Sequence, residues 1–157
     1  MQPFPSDCVG IGEERLKLSA KGRYAVRAMV FLAQNAGEGP LPLSRIASCG
    51  LPRDYLEQLL GTLRRAGLVE AVRGNQGGYS LAKPPRQVTL GDIIGAVEGP
   101  VLLSECAQDG SCCENSRDCR LRNAWEELTT GITGLMDRMT LEDFAGTEDQ
   151  PAWGEGA

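Results

Sequence analysis

The chain has 157 residues, enough for one domain or for one small domain with an appended dimerisation element. Hydrophobic residues make up 41% and aromatics 5%, which provides for an aliphatic core, and no apolar run approaches the roughly 18 residues that a transmembrane helix needs. The net charge of -5 divides sharply, with 11 Lys and Arg against 4 acids over residues 17–90, a local +7, and -12 on the remainder, which argues for one surface made for phosphates and another that is not.

Residues 1–16 carry Pro, Gly and acids without a period and read as a flexible tail. They have neither a basic n-region nor an apolar h-region, so a cytoplasmic protein is expected, in which clustered cysteines bind metal or sense redox state rather than staple the fold. Ser19 suits the N-cap of a helix over 20–36, where Tyr24, Ala25, Ala28, Met29, Leu32 and Ala33 recur at helical spacing and Asn35 and Gly37 supply the stop. That helix shows Lys21, Arg23 and Arg27 to solvent or to phosphate. After a Gly-Pro-rich turn, residues 43–48 predict a short helix with Ile46 and Ala47 buried. Pro52 then fits the first turn of a further helix, since its missing N–H would have no partner there. Residues 53–66 put Tyr55, Leu56, Leu59, Leu60 and Leu63 on the inner face, leave Arg53, Glu57, Arg64 and Arg65 outside, and end at Gly67. Two short helices joined by a Gly-containing turn have helix-turn-helix geometry.

Residues 68–73 and 79–82 alternate as two strands across Gly74-Asn75-Gln76-Gly77-Gly78. A glycine-rich hairpin directly after a helix-turn-helix reads as a wing: its glycines allow positive φ and close approach to a phosphate, and Arg73 at its base is placed to enter a groove. Thr89 with Asp92 resembles a capping box for a helix over 90–98, striped by Leu90, Ile93, Ile94 and Val97 and stopped by Gly99 and Pro100. Residues 106–119 then gather four of the six cysteines into one polar loop, suited to zinc, an iron-sulfur cluster or redox-active disulfides. A long helix over 121–139 follows, with Leu121, Trp125, Leu128, Ile132, Leu135 and Met139 at intervals of three or four. A stripe of that length outside a small winged module calls for a twofold mate. Residues 140–144 predict a last helical turn, and 146–157 a polar, Gly-rich tail.

The expected fold is mainly α with a small β-hairpin wing. A flexible tail (1–16) leads into a winged helix-turn-helix DNA-binding domain (17–99). A cysteine-rich sensor loop (100–119), a long C-terminal dimerisation helix (120–145) and a second tail (146–157) follow. Without histidine or an acid-base pair in a pocket-forming motif, no enzyme is expected.

These segments resemble the IscR, NsrR and CymR (Rrf-type) family of bacterial winged-helix transcription regulators. Lys17-Leu18-Ser19-Ala20-Lys21-Gly22-Arg23-Tyr24-Ala25-Val26 resembles the family's opening and Tyr55-Leu56-Glu57-Gln58-Leu59 its recognition helix. Val72-Arg73-Gly74 with Gly77-Gly78-Tyr79 resembles its wing, and the match runs in order from Lys17 to Phe144. The resemblance implies a homodimer on double-stranded DNA with a pseudo-palindromic operator, without membrane association. By position it implies Arg53, Glu57 and Gln58 for base edges, Arg73 with Gly77 and Gly78 in the wing, and Lys21, Arg27, Arg64 and Arg65 for the phosphate backbone.

Cluster-binding members hold a 2Fe-2S cluster on three cysteines of the loop. Cys106, Cys113 and Cys119 fit that trio here, with Cys112 as an alternative or a fourth ligand. IscR-like members place a histidine three residues after the last cysteine, where this chain has Arg122. NsrR-like members use an aspartate just before the tyrosine of the first helix, where this chain has Arg23. The implied function is a DNA-binding regulator, a repressor, that senses iron-sulfur, redox or nitric oxide status through a cysteine-ligated cluster. The alternative is a winged-helix regulator with no cluster, acting by thiol switch, zinc or partner-protein binding.

Overall fold

The computed structural model describes residues 18–104 and 120–146. It is mostly helical, with one antiparallel hairpin. Helix α1 spans Ala20–Gln34 and starts where the Ser19 side chain accepts from the Gly22 N–H at 3.2 Å. It stops at Asn35, whose side-chain amide donates to the Phe31 carbonyl at 2.7 Å and so satisfies a carbonyl of the last turn. The helix is two residues shorter than its pattern suggests, because Ala36–Glu38 tightens into a 3-10 turn before Gly39 reverses the chain at φ 81°.

Helix α2, Leu43–Ala47, buries Ile46, and α3, Arg53–Arg65, buries Leu56, Leu59, Leu60 and Leu63. Pro52 stands one position earlier than expected: it is the extended N-cap residue, and α3 begins at Arg53. Gly67 ends α3 at φ 73°, with its N–H on Arg64 and the Leu68 N–H reaching back to Leu63, an arrangement that satisfies the last carbonyls. Leu68 is spent in that turn, so strand β1 is Val69–Val72; it pairs with β2, Gly78–Leu81, in the register Val69 with Leu81 and Val72 with Gly78.

A third strand position joins the sheet. Leu41 exchanges backbone hydrogen bonds of 2.9 and 2.8 Å with Tyr79 and is itself buried. It is a single-residue bridge because prolines flank it on both sides, and a proline has no N–H for a ladder.

Helix α4, Leu90–Glu98, carries the expected reciprocal capping box between Thr89 and Asp92, with bonds of 2.9 and 3.1 Å, and its C-cap Gly99 has φ 84°. Helix α5, Arg120–Met136, ends three residues before the apolar stripe does. Met139 falls outside it because its carbonyl accepts from Leu90 at 2.8 Å and because a second capping box, Thr140 with Asp143, starts helix α6 at Leu141–Ala145. The predicted last turn is thus a capped helix, and its Leu141 is 1% exposed in the main core beside Val88, Ile93 and Val97. That core is entirely apolar among the described residues, with Met29, Ile46, Leu56, Leu60 and Leu63 at its centre. Among the described residues no helix is long and apolar enough to cross a membrane.

Candidate nucleic-acid interface

The amphipathic pattern of α3 decides what its outer face displays. With four leucines turned into the core, Arg53, Glu57, Gln58, Arg64 and Arg65 are all exposed. Asp54, Glu57, Gln58, Gly61, Thr62 and Arg65 line one shallow groove along this face, and the small Gly61 keeps its middle low. Thr62 donates to the Gln58 carbonyl at 3.2 Å and accepts from the Arg65 guanidinium at 3.0 Å, so Arg65 lies back along its own helix. Asp54 and Thr62 belong to this face and were not singled out by their spacing. Tyr55 faces inward and meets Tyr24 of α1 edge-on, ring centroids 5.8 Å apart, which ties the two helices together.

Arg73 is exposed at the foot of the hairpin, and Lys21 is half-buried on the first turn of α1. The glycines of the hairpin serve two different needs. Only Gly74 takes a positive φ, 115°. Gly77 and Gly78 do not: a Cβ on Gly77 would strike the Val72 carbonyl, and one on Gly78 the Leu41 carbonyl and the Pro42 nitrogen. The expectation of positive φ at these two positions is therefore corrected. They are glycines because neighbouring backbone of the same fold runs against them, and both remain half-buried.

Arg27 and Arg45 are engaged with neighbouring elements of the fold. The Arg27 guanidinium donates to the Cys49 carbonyl at 2.6 Å. Arg45 on α2 pairs with Glu38 and donates to the Asn35 side chain at 3.1 Å, and its guanidinium holds the Glu38 carboxyl below the usual carboxylate range. Cys49 is half-buried at the α2–α3 turn and donates its thiol to the Ile46 carbonyl at 2.9 Å. Burial pushes that thiol upward, against the pull of Arg27, which leaves it a protonated packing group at neutral pH.

Cys106, Cys112, Cys113 and Cys119 lie outside the described residues, as do Cys8 and the tails 1–17 and 147–157. Among the described residues no group of three or more Cys, Asp or Glu side chains is placed to hold a metal ion. The two family positions for a fourth cluster ligand are described. Arg122 on α5 donates from Nε to Glu126 at 2.8 Å, and Arg23 is exposed on α1. A guanidinium has donors only, so neither residue can ligate iron. Thiolates, which Cys106, Cys113 and Cys119 could supply, suit a cluster by their chemistry; Arg23 and Arg122 do not complete such a set.

The stripe on α5 is open. Leu121, Trp125, Leu128 and Leu135 are exposed by 37–56%, and the helix touches the rest of the described chain mainly where it meets α4. Ser19, which caps α1, also donates to Glu98 at the end of α4 at 2.5 Å, and Gly22 leaves room for that carboxylate. The start of α1 is thus tied to the last residue of α4, the helix from which the chain runs on toward the cysteine segment.

Comparisons with known proteins agree with this geometry. The Rrf2 family model, described as an iron-dependent transcriptional regulator, matches residues 18–147. The transcriptional regulator IscR of Cronobacter sakazakii is 38% identical over 135 residues, covering 85% of this chain and 83% of that protein. Among solved structures, CymR, the global cysteine regulator of B. subtilis, superposes with a TM-score of 0.71 at 40% identity, covering 86% of this chain and all of that one. IscR of T. potens does so at 0.69 and 39%, covering 90% and 98%. The chain therefore belongs to the Rrf2 family and is a DNA-binding transcriptional regulator of the IscR and CymR type rather than an enzyme.

Proposed function

We propose that the chain acts in the cytoplasm as a homodimeric repressor on a pseudo-palindromic operator, with its DNA affinity set by the cysteine segment. The observation that carries the reading is the exposed outer face of α3 beside the Arg73 hairpin, in a chain of this family. In this reading Arg53 suits guanine, Gln58 adenine and Glu57 the amino group of cytosine. Arg64, Arg65 and Lys21 neutralise phosphates and set position without reading sequence, and Arg73 enters the minor groove. Gly77 and Gly78 serve DNA indirectly, Gly77 by letting the hairpin close tightly on Val72 and Arg73 and Gly78 by letting it lie close to Leu41.

Two copies joined through the α5 stripe bring two α3 helices to one face of a duplex, about 34 Å apart or one helical turn. Cys106, Cys113 and Cys119 would hold the 2Fe-2S cluster, with Cys112 or a carboxylate of the segment as the remaining ligand. When bound, such a cluster supplies sensitivity to oxidants, nitric oxide and iron supply. The chain's own part is to transmit the state of the segment through Glu98 to Ser19 at the cap of α1, and through α5 to the dimer axis.

A second reading has its own support. Arginines at both borrowed ligand positions favour a regulator without a cluster that works by thiol exchange, zinc or a partner protein. Anaerobic purification with visible spectra and iron, sulfide and zinc analysis separates the two. Bound iron and sulfide, lost together with regulated operator binding in a Cys106/Cys113/Cys119 to Ser variant, supports the cluster. A colourless protein without iron whose operator binding still depends on thiol state supports the second reading. Operator binding that ignores all three serines overturns sensing by this segment.

A further inference from the structure

Resting on the DNA-reading function above, we infer that Arg27 is a positioning residue for the reading helix rather than one of its phosphate anchors. Its charge and its place on the exposed side of the α1 pattern make it look like an anchor in sequence. Its geometry points elsewhere. The guanidinium Nη2 donates to the Cys49 carbonyl at 2.6 Å, its Nε is shut away from solvent, and the side chain is half-buried. The acceptor lies in the turn that sets the angle between α2 and α3.

The turn is built to receive it. Gly50 takes φ 83°, and a Cβ added there would lie 3.4 Å from the same guanidinium nitrogen, so the glycine both permits the bend and leaves the approach clear. The Gly50 and Leu51 N–H groups both bond back to Ala47, at 3.1 and 3.3 Å, and the Cys49 N–H bonds to Ile46 at 3.3 Å. These bonds leave the Cys49 carbonyl facing α1, where Arg27 is the donor that meets it. A charged donor on a turn carbonyl is among the stronger kinds of hydrogen bond. Here it fixes the start of α3, and with it Arg53, Glu57 and Gln58, against the body of α1.

The two roles give opposite results. An operator is first selected with the wild-type protein from a random DNA pool. Binding of that operator and of scrambled duplex is then measured between 50 and 200 mM salt for the wild type, Arg27→Met, Arg27→Lys and Arg64→Met. Positioning predicts that Arg27→Met loses on the order of tenfold on the operator while scrambled-DNA affinity and the salt slope stay as in the wild type. Arg64→Met, the anchor control, loses about 0.9 from the slope and weakens on both duplexes. Arg27→Lys keeps the charge but not the planar fork, so it also loses operator affinity; a phosphate anchor would tolerate it. If Arg27→Met fails to fold, Arg27→Lys alone carries the test. A slope decrease with equal loss on both duplexes, or full activity of Arg27→Lys, overturns the inference. A wild-type protein with no salt-dependent binding to any duplex overturns the DNA-reading function itself, and this role with it.

Discussion

Replacing Gly78 by alanine sets two explanations of the glycine-rich hairpin against each other. If the residue is glycine so that a phosphate can come close, alanine costs DNA affinity and leaves the free protein intact. If it is glycine because Leu41 and Pro42 lie against it, alanine costs stability before DNA is added. The structure favours the second, since a Cβ there meets the Leu41 carbonyl and the Pro42 nitrogen, both fixed backbone atoms with little room to yield. Moving Leu41 away breaks its two hydrogen bonds to Tyr79, worth about 1 kcal/mol each in net terms. It also draws a side chain only 2% exposed partly out of the core, at about 1 kcal/mol more. The sum is about 2–4 kcal/mol, or roughly 4–16 °C in the thermal midpoint for a chain of 157 residues. Circular-dichroism melts at fixed protein concentration, with and without saturating DNA, read both quantities. A Gly78→Ala protein that melts within about 2 °C of wild type but binds DNA tenfold more weakly would refute the packing explanation.

Leu141→Ala removes a core side chain from the five-residue α6 and is expected to cost about 2–5 kcal/mol in urea unfolding; a loss below 1 kcal/mol would mean α6 is not integral to the core. A Leu128→Asp and Leu135→Asp pair on the open stripe is expected to convert a dimer to a monomer in light scattering, with the thermal midpoint of the reading head little changed. Retention of the dimer would place the twofold contact elsewhere. The Asp143 carboxyl is held below its ordinary value of 3.8, first by the Thr140 backbone N–H and then by the Thr140 side chain. A depressed carboxylate stabilises above its unfolded value and loses that contribution as pH falls through the folded one. The melting difference between wild type and Asp143→Ala should therefore hold steady from neutral pH to about 4.5 and shrink below 3.8. A difference that does not shrink at all as pH falls below 3.8 would rule out the charged capping bond as its source.

The helices were legible because each carries its own local signals. Leucines at Leu56, Leu59, Leu60 and Leu63 define one face of α3, and the threonine-aspartate pair at Thr89 and Asp92 marks the start of α4. The same signature at Thr140 and Asp143 announces α6, and only its brevity hid the depth at which Leu141 is buried. Leu41 left no readable mark: a one-residue bridge has no period, and its flanking prolines argue against a strand. The limits of the site had a different origin. Composition counts charges without their partners, so Arg27 and Arg45 read as free cations until Cys49 and Glu38 were seen to hold them. Gly77 and Gly78 suggested open approach because spacing does not show what lies against a glycine: Val72 to Gly74 fold back on Gly77 across the turn, and Leu41, distant in sequence, lies against Gly78.

The two capping boxes stand back to back. Thr89 and Thr140 pair as an antiparallel bridge, Leu141 donates to Val88 at 2.9 Å, Leu90 donates to Met139 at 2.8 Å, and Gly91 leaves space for the Asp137 carboxylate. The C-terminal end of α5 is thereby clamped to the first turn of α4, while its other end adjoins the cysteine segment. A helix of 17 residues is about 25 Å long, so each degree of tilt about that clamp moves the far end by about 0.4 Å. The clamp is a fulcrum and α5 its arm: a small displacement beside the cysteines is spread along the very stripe on which a second copy would sit. Lengthening or shortening the link at residues 137–139 by one residue would turn that stripe by about 100° about the helix axis while leaving both capping boxes intact.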